Sequence, residues 1–346
     1  MRLKFLFQGV ERVRAVLSRI IMIYNAKAFA RLISLTALTA LLILCGTFFP
    51  LFGFVCMIAA ATPLALLGCI DGANFLSVGI LLLELFLFIT FSPLMSLYAA
   101  LGCVPLAITI YTLYLRYNLK FNNNKISGGL ALLICASAAI ISKLLLLIIF
   151  KFLTGRNILI PDAAQLELII NNLAGSGGGA EVQQVKASLL QAIAVMPYIL
   201  PSILIIYSSF EGVVNYVLCL KILNKLNLNK KLPDLPKFQE WTFISQAKSI
   251  MPVLILTFIA GFFIDGDSWF EGAIFITNLR LILNALFFVQ GLAFAVWWMN
   301  FKNFSRIARI ILIIFLLFPL MWMGVILLGV SDMAFNFRLR LSKQDN

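Results

Sequence analysis

The chain has 346 residues and not one histidine, and only 12% of its residues are charged against 62% hydrophobic. A soluble globular domain carries about 25% charged residues, so composition alone excludes a soluble fold. Without histidine, most membrane hydrolase and metalloenzyme arrangements are out of reach. The six cysteines, at 45, 56, 69, 103, 135 and 219, stand singly in apolar segments with no C-x-x-C pair. They read as small packing residues, and neither a zinc site nor a haem attachment is expected. The glycine cluster SGGGA is followed by no Gly-Lys-Ser/Thr and preceded by no strand, so it reads as a flexible outer-loop hinge and not a phosphate loop. No catalytic residue, metal or cofactor is expected, and the chain is not read as an enzyme.

What the sequence has in quantity is long apolar runs, with a mean hydropathy of +1.03. Runs of about 20 apolar residues predict transmembrane helices, and the short alternating segments of an outer-membrane barrel are absent. The fold class is therefore all-α, a polytopic helical transmembrane bundle in the lipid bilayer. Spans are predicted at 32–49, 51–69, 75–92, 94–115, 127–152, 188–222, 247–264, 272–298 and 306–330, giving eight to nine crossings. Pro197 and Pro201 interrupt the sixth, and Pro319 the last. Residues 1–27 mix Arg2, Lys4, Arg12, Arg14 and Arg19 with apolar residues and show no cleavage site. This arm reads as an amphipathic basic helix on the cytoplasmic leaflet, not a signal peptide.

The net charge of +13 would suggest nucleic acid in a soluble protein. Here the basic residues fall in short loops, at the arm, 116–125, 221–248 and 302–309, so nucleic-acid binding is set aside. Counting spans puts these loops on one side with the N-terminus, taken as cytoplasmic. The opposite side receives 153–187 and the acidic turn with Asp265, Asp267 and Glu271. One conflict stands open: the basic tail RLRLSK falls outside if the ninth segment crosses, unless the break at Pro319 turns that segment back. Three regions result: an arm at 1–31, a six-span domain at 32–223, and a three-span extension with the tail at 224–346.

A charge at mid-bilayer is costly, so polar exceptions inside spans carry the information. They are Glu84 in LLLELFLF, Lys143 in IISKLLLLII, Glu211 in SSFEGVVNY and Arg280 in NLRLILN. Two acids and two bases permit neutralisation as Glu84–Lys143 and Glu211–Arg280. Thr277, Arg280, Asn284, Gly291 and Ala295 share one helical face, where Gly291 and Ala295 form a step that admits a close neighbour. Gln290 lies off that stripe and is expected to bond to a neighbouring helix. The seam is either glue between helices or the lining of a polar cavity. The freed carbonyls near Pro197 and Pro201 likewise either line a cavity or sit in a packed kink. Ala26, Ala30 and Ser34 form a small-residue ridge for docking a helix, internal or in a partner.

The stretches LPKFQEW, NLRLILNALFFVQGLAFAVWW and LLGVSDMAFNFRLRL resemble the YybS-like family of polytopic bacterial membrane proteins, to whose domain no activity is assigned. FFPLFGFVCMIAAATPLALLGCIDG and SPLMSLYAALGCVPLAI are similar to the family's opening spans. Those spans in turn resemble, distantly, the substrate-binding subunits of energy-coupling-factor transporters. That resemblance implies a small solute bound near the outer face and docking to a membrane coupling protein with separate ATPases. The spans beyond residue 223 depart from a six-span plan, so this is an analogy of fold.

The expectation is a solute-binding or transport component of the bacterial cytoplasmic membrane, without its own ATPase. Glu211, Arg280 and Asn284 are its candidate ligand-binding residues for an unknown small solute. Glu84 and Lys143 are a candidate intramembrane ion pair. The alternative is a non-transporting scaffold or regulator that recruits cytoplasmic partners through its basic loops, chiefly 221–248.

Overall fold

The computed structural model describes residues 26–118, 126–155, 180–226, 231–241, 257 and 270–344. All its elements are helical. The chain divides into two compact units, one of residues 1–149 and 208–234, the other of 150–207 and 235–346. The basic arm, the 156–179 segment and most of the predicted 247–264 span lie outside the described residues.

In the first unit, α1 is Ala26–Phe48, followed by α2 (Pro50–Ala59), α3 (Ala61–Asp71), α4 (Ala73–Thr90), α5 (Pro93–Gly102), α6 (Val104–Asn118) and α7 (Gly128–Thr154). The long α8, Ala180–Lys225, gives its C-terminal part to this unit. Most of these are the predicted apolar runs, since in lipid a segment must satisfy its backbone internally. The turns use local chemistry. Gly72, at φ 97°, closes α3 and opens α4 in a conformation that only glycine adopts freely. Ser92 caps α5 by accepting from the Met95 N–H, with Pro93 at the first helical position.

The core is α3, where Ala60, Ala61, Leu64, Ala65 and Leu67 are fully buried among α4 and α6. The breaks between α2 and α3 and between α5 and α6 each leave carbonyls to be satisfied from another helix. At the first, the Asn215 amide donates to the Ile58 carbonyl, while its oxygen accepts from Thr62 Oγ1 at 2.7 Å. At one end of the unit Arg31 clasps Asp71, Nε to Oδ2 at 2.9 Å.

In the second unit, a short turn at Phe238–Glu240 precedes α9 (Phe270–Phe301), α10 (Arg306–Leu316), α11 (Trp322–Phe335) and α12 (Phe337–Gln344). Helices α9 and α11 meet through glycines. A side chain at Gly291 would strike the Val325 carbonyl, and one at Gly329 the Phe287 carbonyl. By length and composition seven helices can cross a membrane, or eight if the α10–α11 pair counts as one span. That pair is bent by 82° before Pro319. The 306–330 segment is thus not one straight crossing, and the break expected at Pro319 is where it turns.

Candidate functional site

The α5–α6 break lies inside a single apolar span, Pro93–Asn118. Its cause is local: Pro105 has no N–H to give the Leu101 carbonyl one turn earlier, and the helix resets at Cys103. Two carbonyls are left facing α7. The Ser142 hydroxyl donates to the Leu101 carbonyl, and Lys143 Nζ lies 3.4 Å from the Gly102 carbonyl. Gly102 has no side chain for a reason, since a Cβ there would come within 3.1 Å of Lys143 Nζ.

Around Lys143 the other charges gather. Its ammonium donates to Tyr98 Oη at 3.2 Å, sits 4.7 Å from the centre of the same ring, and lies 3.3 Å from Glu211 Oε2. Gly212 permits this approach, because a Cβ there would be 2.8 Å from the Cys135 backbone of α7. The Lys143 and Glu211 side chains are 6% and 0% exposed. Glu84 completes the group from α4: its Oε2 accepts from Ser96 Oγ at 2.5 Å. Cys103 lies within electrostatic reach of Lys143, Glu211 and Glu84 alike.

Several polar atoms here have no hydrogen-bond partner among the described residues. They are both Glu211 oxygens, Glu84 Oε1 and Ser208 Oγ, one turn before Glu211 on the same helix. The pair at 3.3 Å is therefore a charge contact without a well-directed hydrogen bond. Acceptors exceed donors, so a guest here would be one that brings donors or positive charge. No group of three or more metal-ligating side chains occurs among the described residues.

The ion pair of the structure is Lys143–Glu211, which corrects both expected pairings. Gly212 brings α8 against α7, and Glu84 is held instead by Ser96 of the neighbouring helix. Arg280 and Asn284 belong to the other unit, both half-buried on α9. On the same helix, Thr277 is exposed while Gly291 and Ala295 are buried, so the seam passes from open surface to packing contact.

The second unit has a polar centre of its own. Gln290 Nε2 donates to Asp332 Oδ2 at 2.7 Å, the neighbouring-helix bond expected of it. Asp332 also pairs with Arg338, whose Nη1 donates to the Gln239 carbonyl at 2.6 Å. Asn336, at φ 52°, ends α11 in a left-handed cap and lets Arg338 fold back. Burial holds the Arg338 guanidinium below its usual value, with Asp332 countering. Sequence reasoning quoted this stretch but read only a basic tail. The signal for it was Asp332, an acid in an apolar run six residues before an arginine.

The prolines of α8 have a packed answer. Asn278 donates to the Tyr198 carbonyl at 2.5 Å and accepts from the Ser202 N–H at 3.0 Å. An unbroken helix would pair those two groups with each other. Asn278 thus wedges into the backbone ladder, and this carbonyl does not line a cavity.

A family model described as "Predicted membrane protein (DUF2232)" matches residues 37–333, most of the chain. No curated protein and no solved structure matches.

Proposed function

We propose that this chain, which belongs to the DUF2232 family of predicted membrane proteins, is a solute-binding or transport component without an ATPase of its own. The observation that carries the reading is the buried Lys143–Glu211 pair beside the broken α5–α6 span, with both Glu211 oxygens lacking a hydrogen-bond donor. An ion pair taken out of water loses much of its attraction to desolvation and is weak evidence for stability. Inside a membrane, ionisable residues beside an interrupted helix mark solute or ion pathways. The guest this site would admit is small and brings a positive or hydrogen-bond-donating group to Glu211.

Arg280 and Asn284 keep a place in the proposal as a polar face of the second unit. The resemblance to the YybS-like family, and distantly to energy-coupling-factor substrate-binding subunits, supports the same class. In that scheme a membrane coupling protein with separate ATPases would dock on α1, where Ala26, Ala30 and Ser34 are exposed while Ala28 and Leu32 face inward. The basic loops place the protein in a bacterial cytoplasmic membrane with its N-terminus inside. No enzymatic activity is part of the reading.

Native mass spectrometry of the gently extracted protein tests it. A small molecule should co-purify with wild type and with Arg280→Ala or without it, according to which unit binds, and be lost from Glu211→Gln. Retention by both variants would remove both assignments. Monodispersity of each variant separates lost binding from lost folding.

A further inference from the structure

We propose that Glu84 carries one exchangeable proton inside the membrane, next to the Lys143–Glu211 pair. The inference begins with a charge count. Within the cluster stand two carboxylates, Glu84 and Glu211, and one ammonium, Lys143. Fully ionised, the group would hold one net negative charge in a region without water to solvate it. Lys143 is in contact with Glu211, so Glu84 is the carboxylate left over.

The surroundings of Glu84 offer it nothing cationic among the described residues. Ser96 binds Oε2, and Oε1 is buried without a partner. The flanking side chains Leu82, Leu85 and Phe86 are exposed, and in place they meet lipid. Helix α5, packed on α4, turns Ser96 and Tyr98 towards the cluster, and Cys103 sits at its end. Helix α3, also packed on α4, carries Cys69 and Asp71, and Asp71 is already held by Arg31 of α1. At the contact of α1 with Gly79 of α4 stands Thr36, which is neutral. A carboxyl group in such a setting is held as the acid, and one proton supplies the missing positive charge. Release gives Glu84 carboxylate and a free proton, with no other bond changed.

Linking this proton to solute movement rests on the transport reading above, whereas the proton itself does not. Lys143 touches both the Glu211 carboxylate and the Gly102 carbonyl at the helix break, so a guest that drew Glu211 away would shift the positive charge nearest Glu84. Proton binding and guest binding are coupled by that shared ammonium.

Infrared difference spectroscopy of the full-length protein in lipid vesicles, titrated with acid and alkali in H2O and D2O, reads the proton directly. At neutral pH the wild type should show a protonated-carboxyl C=O band that shifts in D2O and vanishes in alkali. Glu84→Gln should lack the band and Glu211→Gln should keep it. Glu84→Asp should restore it at a shifted frequency, which covers the case that the glutamine variant fails to fold. A wild type with no such band, or an unchanged band in Glu84→Gln, overturns the proposal. So does a band removed at neutral pH by sodium but not by potassium, which would make this a sodium site. Failure of the solute reading shows separately, as no small molecule co-purifying while the band persists.

Discussion

Lys143 shares its ammonium among Tyr98, the Gly102 carbonyl and Glu211, and that sharing decides what each substitution does. Removing the lysine leaves Glu211 buried with no counter-charge, whereas replacing both partners by apolar residues leaves no charge to strand. Lys143→Ala should therefore lower stability by about 3–5 kcal/mol, and the double variant Lys143→Met/Glu211→Leu should recover most of that loss. Denaturant unfolding in mixed micelles would show it, and a double variant no more stable than Lys143→Ala would refute the ion-pair account. The charges themselves were legible, because Glu84, Lys143 and Glu211 each interrupt an apolar run. Their partners were not. Pairing follows from which helices touch, and that depends on Gly212 admitting α7. Glycines are common in membrane helices, so this one carried no flag. Tyr98, Thr62 and Asn215 were equally silent, since neutral polar side chains bond in many membrane contexts without distinction.

Helices were far easier to read than their interruptions. The α4 and α7 bounds lie within two residues of the predicted spans, because a run of apolar residues has to be helical in lipid whatever its neighbours. The breaks at Ala60 and Cys103 were missed, although Pro63 and Pro105 stood in view. A proline tells where a backbone bond is lost and not what replaces it. At α8 the replacement is Asn278, which bonds both sides of the gap opened by Pro201. Asn278→Ala should cost about 1–2 kcal/mol, the range of polar contacts between membrane helices, and loosen the bend without moving the Lys143–Glu211 site. Unfolding measurements, with spin-label distances along 195–207, would test that. A variant as stable as wild type would mean that water satisfies the gap instead.

The basic tail posed the one topological conflict of the sequence, and the second unit bears on it through a few contacts. Arg338 donates to the Gln239 carbonyl, and Asn300 at the end of α9 donates to the Gln239 side chain. The tail, the 238–241 turn and the end of α9 therefore meet at one end of that unit. Along the contact of α9 with α11, Phe288 meets Trp322 and Phe294 meets Phe337, so the two helices run in the same sense. A chain leaving α9 must then travel back before α11 can descend, and the 82° bend before Pro319 marks the reversal. Helix α10, only 11 residues long, is too short to make a full crossing by itself. The pair accordingly dips in and returns, and Arg338 and Arg340 end beside Lys237 on the basic side. That removes the conflict with the positive-inside pattern without an exception for the tail. A C-terminal fluorescent-protein fusion should therefore fluoresce, and a C-terminal alkaline phosphatase fusion should be inactive, each matching the same reporter inserted at 227–230. Opposite behaviour at the two positions would mean that α10 and α11 together make a true crossing. The tail would then lie away from Gln239, and the Arg338–Asp332 latch would not form in the membrane.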